Sequence, residues 1–212
     1  MKPVSECRLY AFVDTAYLRG RKPEFVAQQL CAGGADLIQL RAKQLPPEEV
    51  QRLAEAILPT TRMAGVGLVV NDYPIIARET GAEICHLGQE DFFEAGYTDV
   101  RQFSAPNSPL KIGLSTHAPK QAQRALAAGA DYIAIGPVFA TGTKPGVKPV
   151  TLDYVRWAAA NLTVPWFAIG GITLDNLGQV LAAGAKRICV VSAILNASDP
   201  AAACRAFKKR LT

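Results

Sequence analysis

Apolar residues recur along this chain in short runs that are separated by segments of helical period. The runs are rich in β-branched side chains and lie at 9–13, 37–40, 67–70, 84–87, 111–114, 132–135, 166–169 and 187–191. Continuous apolar runs of this length are typical of strands in a parallel sheet that helices cover. Between them, positions such as Val50, Ala54 and Ile57 recur at helical spacing, which predicts helices with one face on the sheet.

A glycine marker repeats before every second predicted strand. Gly34, Gly81, Gly129 and Gly184 each close a predicted helix, about 50 residues apart, and glycine takes the left-handed conformation that ends helices at little steric cost. Two β-α units repeated four times predict an α/β fold, a single (β/α)8 TIM barrel over residues 1–212. A doubly wound open sheet is the alternative, which the lack of a G-x-G-x-x-G motif after the first strand weakens.

Composition narrows the classes of function. The chain has 212 residues, 50% of them hydrophobic, and a formal net charge of +5, which suits one compact soluble domain. No basic stripe is interleaved with aromatic residues, so nucleic-acid binding is not expected. The charged N-terminus lacks an apolar signal region and no apolar run is long enough to span a bilayer, so a cytoplasmic protein without membrane contact is expected.

The cysteines carry little functional information. There are five of them, an odd number, without a C-x-x-C motif, so neither a disulfide scaffold nor a structural zinc site is expected. Cys85 and Cys189 lie inside apolar strand runs and are predicted to be small buried hydrophobes.

Cationic side chains follow the second predicted strand. Gln39, Arg41 and Lys43 alternate with other residues and therefore point the same way. In a barrel this end of the strand faces the active site, where two inward cations need a partner such as a phosphate or diphosphate. The alternative is a structural ion pair with a nearby carboxylate, which we expect to be insufficient because one partner does not balance two cations.

Carboxylates follow the third and fourth predicted strands. Asp72 and Asp91 are expected to project from adjacent strand ends, and two carboxylates completed by waters and phosphate oxygens suit Mg²⁺ better than zinc. Single aspartates in loops are more often turn formers. Asp14 at the first strand end is a weaker candidate for supporting this site.

The later strand ends offer hydroxyls, imidazole and glycine. Ser115 can donate to a phosphate; a serine nucleophile is conceivable, but no G-x-S-x-G motif is present. His117 could line the site, whereas His86 is predicted to be a half-buried strand residue. The stretch 136–149 is interpreted as a lid or a plain surface loop. Gly170 and Gly171 let a backbone approach a phosphate closely, or else pack tightly.

Together these residues resemble the thiamine phosphate synthase family. The similarity runs from about residue 9 to 195 and keeps the family's order of motifs: Gln39-x-Arg41-x-Lys43, Asn71-Asp72, His86-Leu87-Gly88-Gln89-x-Asp91, Gly113-x-Ser115-Thr116, Thr141-x-Thr143-Lys144, Ile169-Gly170-Gly171-Ile172 and Val191-Ser192. Any single motif is weak, but seven in order are specific.

The resemblance implies a Mg²⁺-dependent transferase acting on small phosphorylated substrates, with homo-oligomerisation left open. It would join 4-amino-5-hydroxymethyl-2-methylpyrimidine diphosphate to a (carboxy)thiazole ethyl phosphate. The implied roles are pyrimidine diphosphate binding by Gln39, Arg41, Lys43, Asn71, Ser115 and Lys144, catalysis by Arg41, Lys43, Ser115 and Lys144, metal binding by Asp72 and Asp91, and thiazole phosphate binding by Thr141, Thr143, Gly171, Val191 and Ser192.

Two departures and two rival functions accompany the resemblance. Family members often carry Glu where this chain has Ala42, which alternation places away from the anion, and Pro where it has Ala140. A thiazole tautomerase with His117 as the proton-transfer residue is the first rival. A barrel that only binds a thiamine precursor is the second, and the complete set of cationic and acidic residues argues against both.

Overall fold

The computed structural model describes residues 1–105, 109–141 and 148–211. Within these ranges eight parallel strands close into a barrel in sequence order, with each strand paired to its two neighbours and the last paired to the first. The strands β1 to β8 are Leu9–Asp14, Leu37–Arg41, Gly67–Asn71, Ile84–Leu87, Lys111–Thr116, Tyr132–Ile135, Trp166–Ile169 and Ile188–Cys189. The predicted TIM barrel is confirmed, and the open-sheet alternative is wrong.

Helices cover the outside of the barrel. In the described ranges α1 to α8 are Pro23–Ala32, Pro47–Met63, Pro74–Thr80, Pro119–Ala127, Thr151–Asn161, Leu177–Ala182, Ser192–Leu195 and Pro200–Lys209. Five of them begin with proline, which has no amide hydrogen to lose at a first helical position. The predicted stripe on α2 faces inward, since Val50, Ala54 and Ile57 are buried. None of the helices in the described part of the chain is long and apolar enough to cross a membrane.

The glycine markers behave as predicted. Gly34, Gly81, Gly129 and Gly184 all have positive φ, between 77° and 102°. This left-handed conformation turns the chain from a helix into the next strand and is strained for residues with a side chain. The repeat seen in the sequence is therefore the β-α repeat of the barrel.

Two elements differ from the expectation. The connection from β4 to β5 holds a π-helical turn, Glu90–Glu94, and a 3₁₀ helix, Val100–Phe103, where an α-helix would alternate. Here Phe92 and Phe103 pack with their ring centroids 5.9 Å apart, so aromatic contacts organise this connection. Strand β8 covers only two residues of the predicted run, because the backbone at Val191 leaves the extended conformation to begin α7.

Candidate functional site

The carboxyl ends of the strands surround an open cavity with about 1050 Å³ of empty space. Its wall carries groups from positions 10 to 192, so residues far apart in sequence meet at one rim. The predicted site residues that line it are Gln39, Arg41, Lys43, Asn71, Asp72, Asp91, Ser115, Thr141, Gly171, Val191 and Ser192. Alternation along the strands explains this, because residues two apart on a strand face the same side.

Two predicted site residues, Thr143 and Lys144, lie outside the described residues. They fall within the stretch 136–149 interpreted as a lid or surface loop. Of that stretch, 136–141 and 148–149 contain neither helix nor strand. Ala42, predicted to face away from the anion, is buried in the core and does not line the cavity.

The two cations that follow β2 already have carboxylate partners. Strand register places Asp14 beside Arg41, and an Arg41 guanidinium nitrogen lies 2.8 Å from Asp14 Oδ2. Lys43 Nζ lies 3.2 Å from Asp72 Oδ2. The premise that two cations would outnumber their carboxylates is therefore wrong, and structural ion pairs are present. Binding of an anion stays a prediction, carried by the position of both cations on the cavity wall.

The two candidate metal ligands lie close enough to affect each other. Burial raises the pKa of Asp72, the nearby Asp91 carboxylate raises it further, and Lys43 only partly opposes the shift. Asp72 also has a φ of 67°, an uncommon conformation for a residue other than glycine. Backbone strain of this kind tends to occur at functional sites. The two carboxylates therefore concentrate negative charge at a point of the wall where Lys43 is close to Asp72.

Aromatic packing holds the turn that carries Asp91. Phe92, the next residue, is fully buried and packs edge-to-face on Phe93 with the ring centroids 4.7 Å apart. The guanidinium carbon of Arg124 lies 3.9 Å from the centroid of the Phe93 ring. The amide of Gly88 donates to Asp91 Oδ2 at 3.3 Å. These contacts fix the direction in which the Asp91 carboxylate enters the cavity.

A chain of hydrogen bonds runs along the floor of the cavity, and four of its five residues line the cavity. Gln39 Nε2 donates to Tyr10 Oη at 2.6 Å, and Tyr10 Oη lies 3.1 Å from Tyr132 Oη. Tyr132 Oη lies 3.0 Å from His86 Nδ1, and His86 Nε2 lies 2.9 Å from Ser115 Oγ. Below it, Phe167 packs edge-to-face on both tyrosine rings.

Sequence reasoning missed the two tyrosines of this hydrogen-bond chain. Tyr10 and Tyr132 were not singled out, although their inward strand positions could have identified them once the register was known. His86, predicted to be half-buried, is only 7% exposed and lines the cavity. Hydroxyl-bearing side chains at inward strand positions are the pattern that would have found them.

The other histidine also reaches the cavity, as anticipated. His117 lines the wall, and its Nδ1 contacts the carbonyl oxygen of Gly136. Between His117 and Ser115, the Thr116 hydroxyl points outward and lies 2.7 Å from Tyr154 Oη. Hydrogen bonds to His86 on the cavity side and to Tyr154 on the helix side therefore hold the end of β5.

The glycines after β7 show tight packing. Gly170 and Gly171 have φ values of 103° and 64°. A Cβ on Gly170 would overlap Pro137, and one on Gly171 would lie 2.6 Å from the carbonyl oxygen of Ala140. Both positions are packed too closely for a side chain, and binding of a phosphate by this backbone stays a prediction. Gly171 nevertheless lines the cavity together with Ser192, the first residue of α7.

The chain is similar to a known family over most of its length. The family model described as thiamine monophosphate synthase matches residues 9–194. A thiamine-phosphate synthase of Thermus thermophilus is 49% identical over 185 residues, which cover 87% of this chain and 86% of the relative. A thiamine-phosphate synthase of Acidothermus cellulolyticus is 43% identical over 210 residues, covering 98% of this chain and 96% of the relative.

The barrel is also similar to solved structures. A thiamine phosphate pyrophosphorylase from Pyrococcus furiosus superposes with a TM-score of 0.85 at 26% identity, covering 99% of this chain and 98% of that one. A 3-hexulose-6-phosphate synthase superposes with a TM-score of 0.65 at 19% identity, covering 97% of this chain and all of that one. The second likeness concerns the fold alone.

Proposed function

Because the chain belongs to the thiamine monophosphate synthase family, we propose that it condenses 4-amino-5-hydroxymethyl-2-methylpyrimidine diphosphate with a (carboxy)thiazole ethyl phosphate. The products are thiamine phosphate and diphosphate, with CO₂ when the thiazole is carboxylated. Family membership makes the chain an enzyme of thiamine synthesis. The observation that carries the finer assignment is the meeting of two cations and two carboxylates on one cavity rim.

The chain's cations serve the leaving group. In the proposed reaction the pyrimidine CH₂–O bond breaks first and its electron pair leaves with diphosphate. Arg41 can bind two diphosphate oxygens at once, and Lys43 supplies a point charge. Their present carboxylate partners keep both side chains extended towards the cavity before the substrate arrives.

The acidic pair fits a magnesium site. No group of three or more metal-binding side chains occurs among the described residues. Mg²⁺ commonly uses one or two carboxylates and takes its other ligands from water and substrate phosphates. Asp72 and Asp91 would hold it. Burial is the main cause of the raised pKa of Asp72, and the smaller contribution of Asp91 is a repulsion that a cation would relieve. Bound there, Mg²⁺ would neutralise charge on the departing diphosphate.

Carbon–nitrogen bond formation completes the reaction. The aminopyrimidine ring delocalises the positive charge left on its methylene, so no protein nucleophile is needed. The thiazole nitrogen lone pair then forms the new bond. The thiazole phosphate would be held by the cavity-lining residues that follow β6, β7 and β8, namely Thr141, Gly171, Val191 and Ser192. Bringing both substrates into one cavity supplies proximity. The roles of Thr143 and Lys144 rest on the family resemblance.

The test is product analysis with both substrates and Mg²⁺. Release of diphosphate together with thiamine phosphate supports the proposal. Thiazole isomerisation alone would instead support the tautomerase alternative, for which His117 on the cavity wall is the available proton carrier. Binding without turnover would identify a binding protein.

A variant pair tests the metal role. Asp91→Asn should lower Mg²⁺-dependent turnover by about 100-fold or more, because Lewis-acid stabilisation contributes several kcal/mol. Asp153→Asn is the matched control, since Asp153 lies exposed on α5 and pairs with Arg156 outside the cavity. Full activity of Asp91→Asn would refute the metal role, and an equal loss in Asp153→Asn would point to a general effect of charge.

A further inference from the structure

The hydrogen-bond chain described above lies at the floor of the cavity and consists of Gln39, Tyr10, Tyr132, His86 and Ser115. It joins two residues assigned to substrate binding, Gln39 and Ser115, across five strands of the barrel. Both tyrosines are at most 1% exposed. Buried hydroxyls must use their single proton on a protein acceptor. The direction of every bond is therefore determined once one end is fixed.

The amide of Gln39 fixes that end. Its Nε2 donates to Tyr10 Oη, so the Tyr10 proton goes to its other partner, Tyr132 Oη. Tyr132 Oη accepts that proton and gives its own to His86 Nδ1. Burial raises the pKa of both tyrosines well above the usual value, so both stay protonated at neutral pH.

The histidine transmits this direction to the cavity. With Nδ1 accepting from Tyr132, the His86 ring carries its proton on Nε2 and donates it to Ser115 Oγ. The Ser115 oxygen thus accepts from His86, and its own proton remains for a ligand. At the other end, Gln39 uses Nε2 on Tyr10 and keeps Oε1 as an acceptor for a ligand.

We propose that Tyr10 and Tyr132 are positioning residues that hold His86 as the Nε2–H tautomer and so make Ser115 a hydrogen-bond donor and Gln39 an acceptor towards the substrate. Such a cavity suits a ligand that offers an N–H donor at one point and an oxygen or ring-nitrogen acceptor at another. The inference rests on the proposed function only for the identity of that ligand.

The hydrogen bonds could also all run in the opposite direction, with every donor and acceptor still satisfied, and this second arrangement makes the proposal testable. If the Gln39 amide were reversed, every proton would shift, His86 would carry its proton on Nδ1, and Ser115 would donate to the ring. Ser115 would then have no proton for the substrate. The position of one imidazole proton therefore distinguishes the two arrangements.

Nitrogen NMR of ¹⁵N-histidine-labelled protein measures that position directly. The chain has only two histidines, and His117→Gln assigns the signals. We expect His86 to show a protonated Nε2 and a bare Nδ1. In Tyr132→Phe, which keeps the ring that packs on Gly113, the proton should distribute over both nitrogens. A protonated Nδ1 in the unmodified protein, or an unchanged tautomer in Tyr132→Phe, would overturn the proposal.

A control and a second variant protect the measurement. Tyr154→Phe also removes a buried hydroxyl, which hydrogen-bonds to Thr116 beside Ser115 but is not part of the hydrogen-bond chain. This variant should leave the His86 signals unchanged. A shift of equal size there would contradict the proposal. If Tyr132→Phe does not fold, Tyr10→Phe can replace it, because Tyr10 orients the Tyr132 hydroxyl and lies one hydrogen bond further from His86.

Kinetics test whether Tyr132 acts through Ser115. Tyr132→Phe should lower kcat/KM by about tenfold, the order expected for one hydrogen bond to a polar substrate group. In a Ser115→Ala background the same change should cost nothing further, and additive losses would overturn the proposal. If no synthase activity exists, the proposed function fails, while the NMR result still decides the tautomer.

Discussion

Replacing Asp14 by Asn tests how much the buried ion pair between Asp14 and Arg41 contributes to stability. Asp14 is 1% exposed and lies 2.8 Å from an Arg41 guanidinium nitrogen. Asn keeps the size of the side chain and can still accept from the Ala16 amide, which Asp14 Oδ1 binds at 3.0 Å. The substitution removes the charge, and it also replaces Oδ2, which accepts from Arg41, by an NH₂ group that cannot accept.

The expected cost follows from the geometry. At an effective dielectric constant of about 20, unit charges 2.8 Å apart attract by about 6 kcal/mol. The desolvation of Asp14 offsets part of this, and Arg41, which is 15% exposed, can recover some hydration. We expect Asp14→Asn to lower the free energy of unfolding by about 2–4 kcal/mol, which for a chain of this length lowers Tm by about 4–16 °C.

Urea denaturation of a double-mutant cycle is the assay. Asp14→Asn, Arg41→Gln and the double variant should show a coupling energy of about 1.5 kcal/mol or more, because each single variant leaves a partner uncompensated. The surface pair partner Asp153→Asn should change stability by no more than about 0.5 kcal/mol. A loss below about 0.5 kcal/mol for Asp14→Asn, or additive single effects, would refute the reasoning.

Three further predictions concern the core and the base of the barrel. Burial raises the pKa of Asp36, but hydrogen bonds from Lys2 and Lys208 outweigh this effect and hold the pKa below its usual value. Asp36→Asn should therefore lower the free energy of unfolding at pH 7. Urea titrations should show that the difference in unfolding free energy between the two proteins shrinks as pH falls below about 4. Gly113→Ala should cost about 3 kcal/mol or more in the same assay, because its Cβ would overlap the Tyr132 ring; a neutral result would contradict this packing. Burial raises the pKa of Cys85 well above its usual value, so Cys85→Ser should keep its turnover in a product-release assay, and an inactive but folded variant would give this thiol a role in catalysis.

The local pattern of residues was sufficient to predict the positions of the strands and the repeat of the β-α unit. Apolar runs located all eight strands to within a few residues, since a strand buried on both faces needs little beyond its own apolar side chains. Gly34 and Gly129 marked helix ends because only glycine adopts their positive φ without strain. The β4–β5 connection was missed, since its aromatic contacts involve Phe92 and Phe103, eleven positions apart, and carry no periodicity.

The sequence was enough to predict which residues line the candidate site, but not which partners those residues contact. Alternation placed Gln39, Arg41 and Lys43 on one face, and the barrel placed that face on the cavity. Their partners depend on register between strands. Asp14 meets Arg41 only because β1 and β2 pair with that alignment, and a shift of one residue would turn Asp14 outward.

The sequence by itself determined which segments are strands, how often the β-α unit repeats, and which polar groups stand at strand ends, because each of these depends on neighbours within a few residues. Only the tertiary structure decided that Tyr10 and Tyr132 meet through their hydroxyls, that His86 links them to Ser115, and that Arg41 and Lys43 each have a carboxylate partner. Such contacts join residues as much as 122 positions apart, and they form only when the closing of the barrel fixes the stagger of every strand against the next.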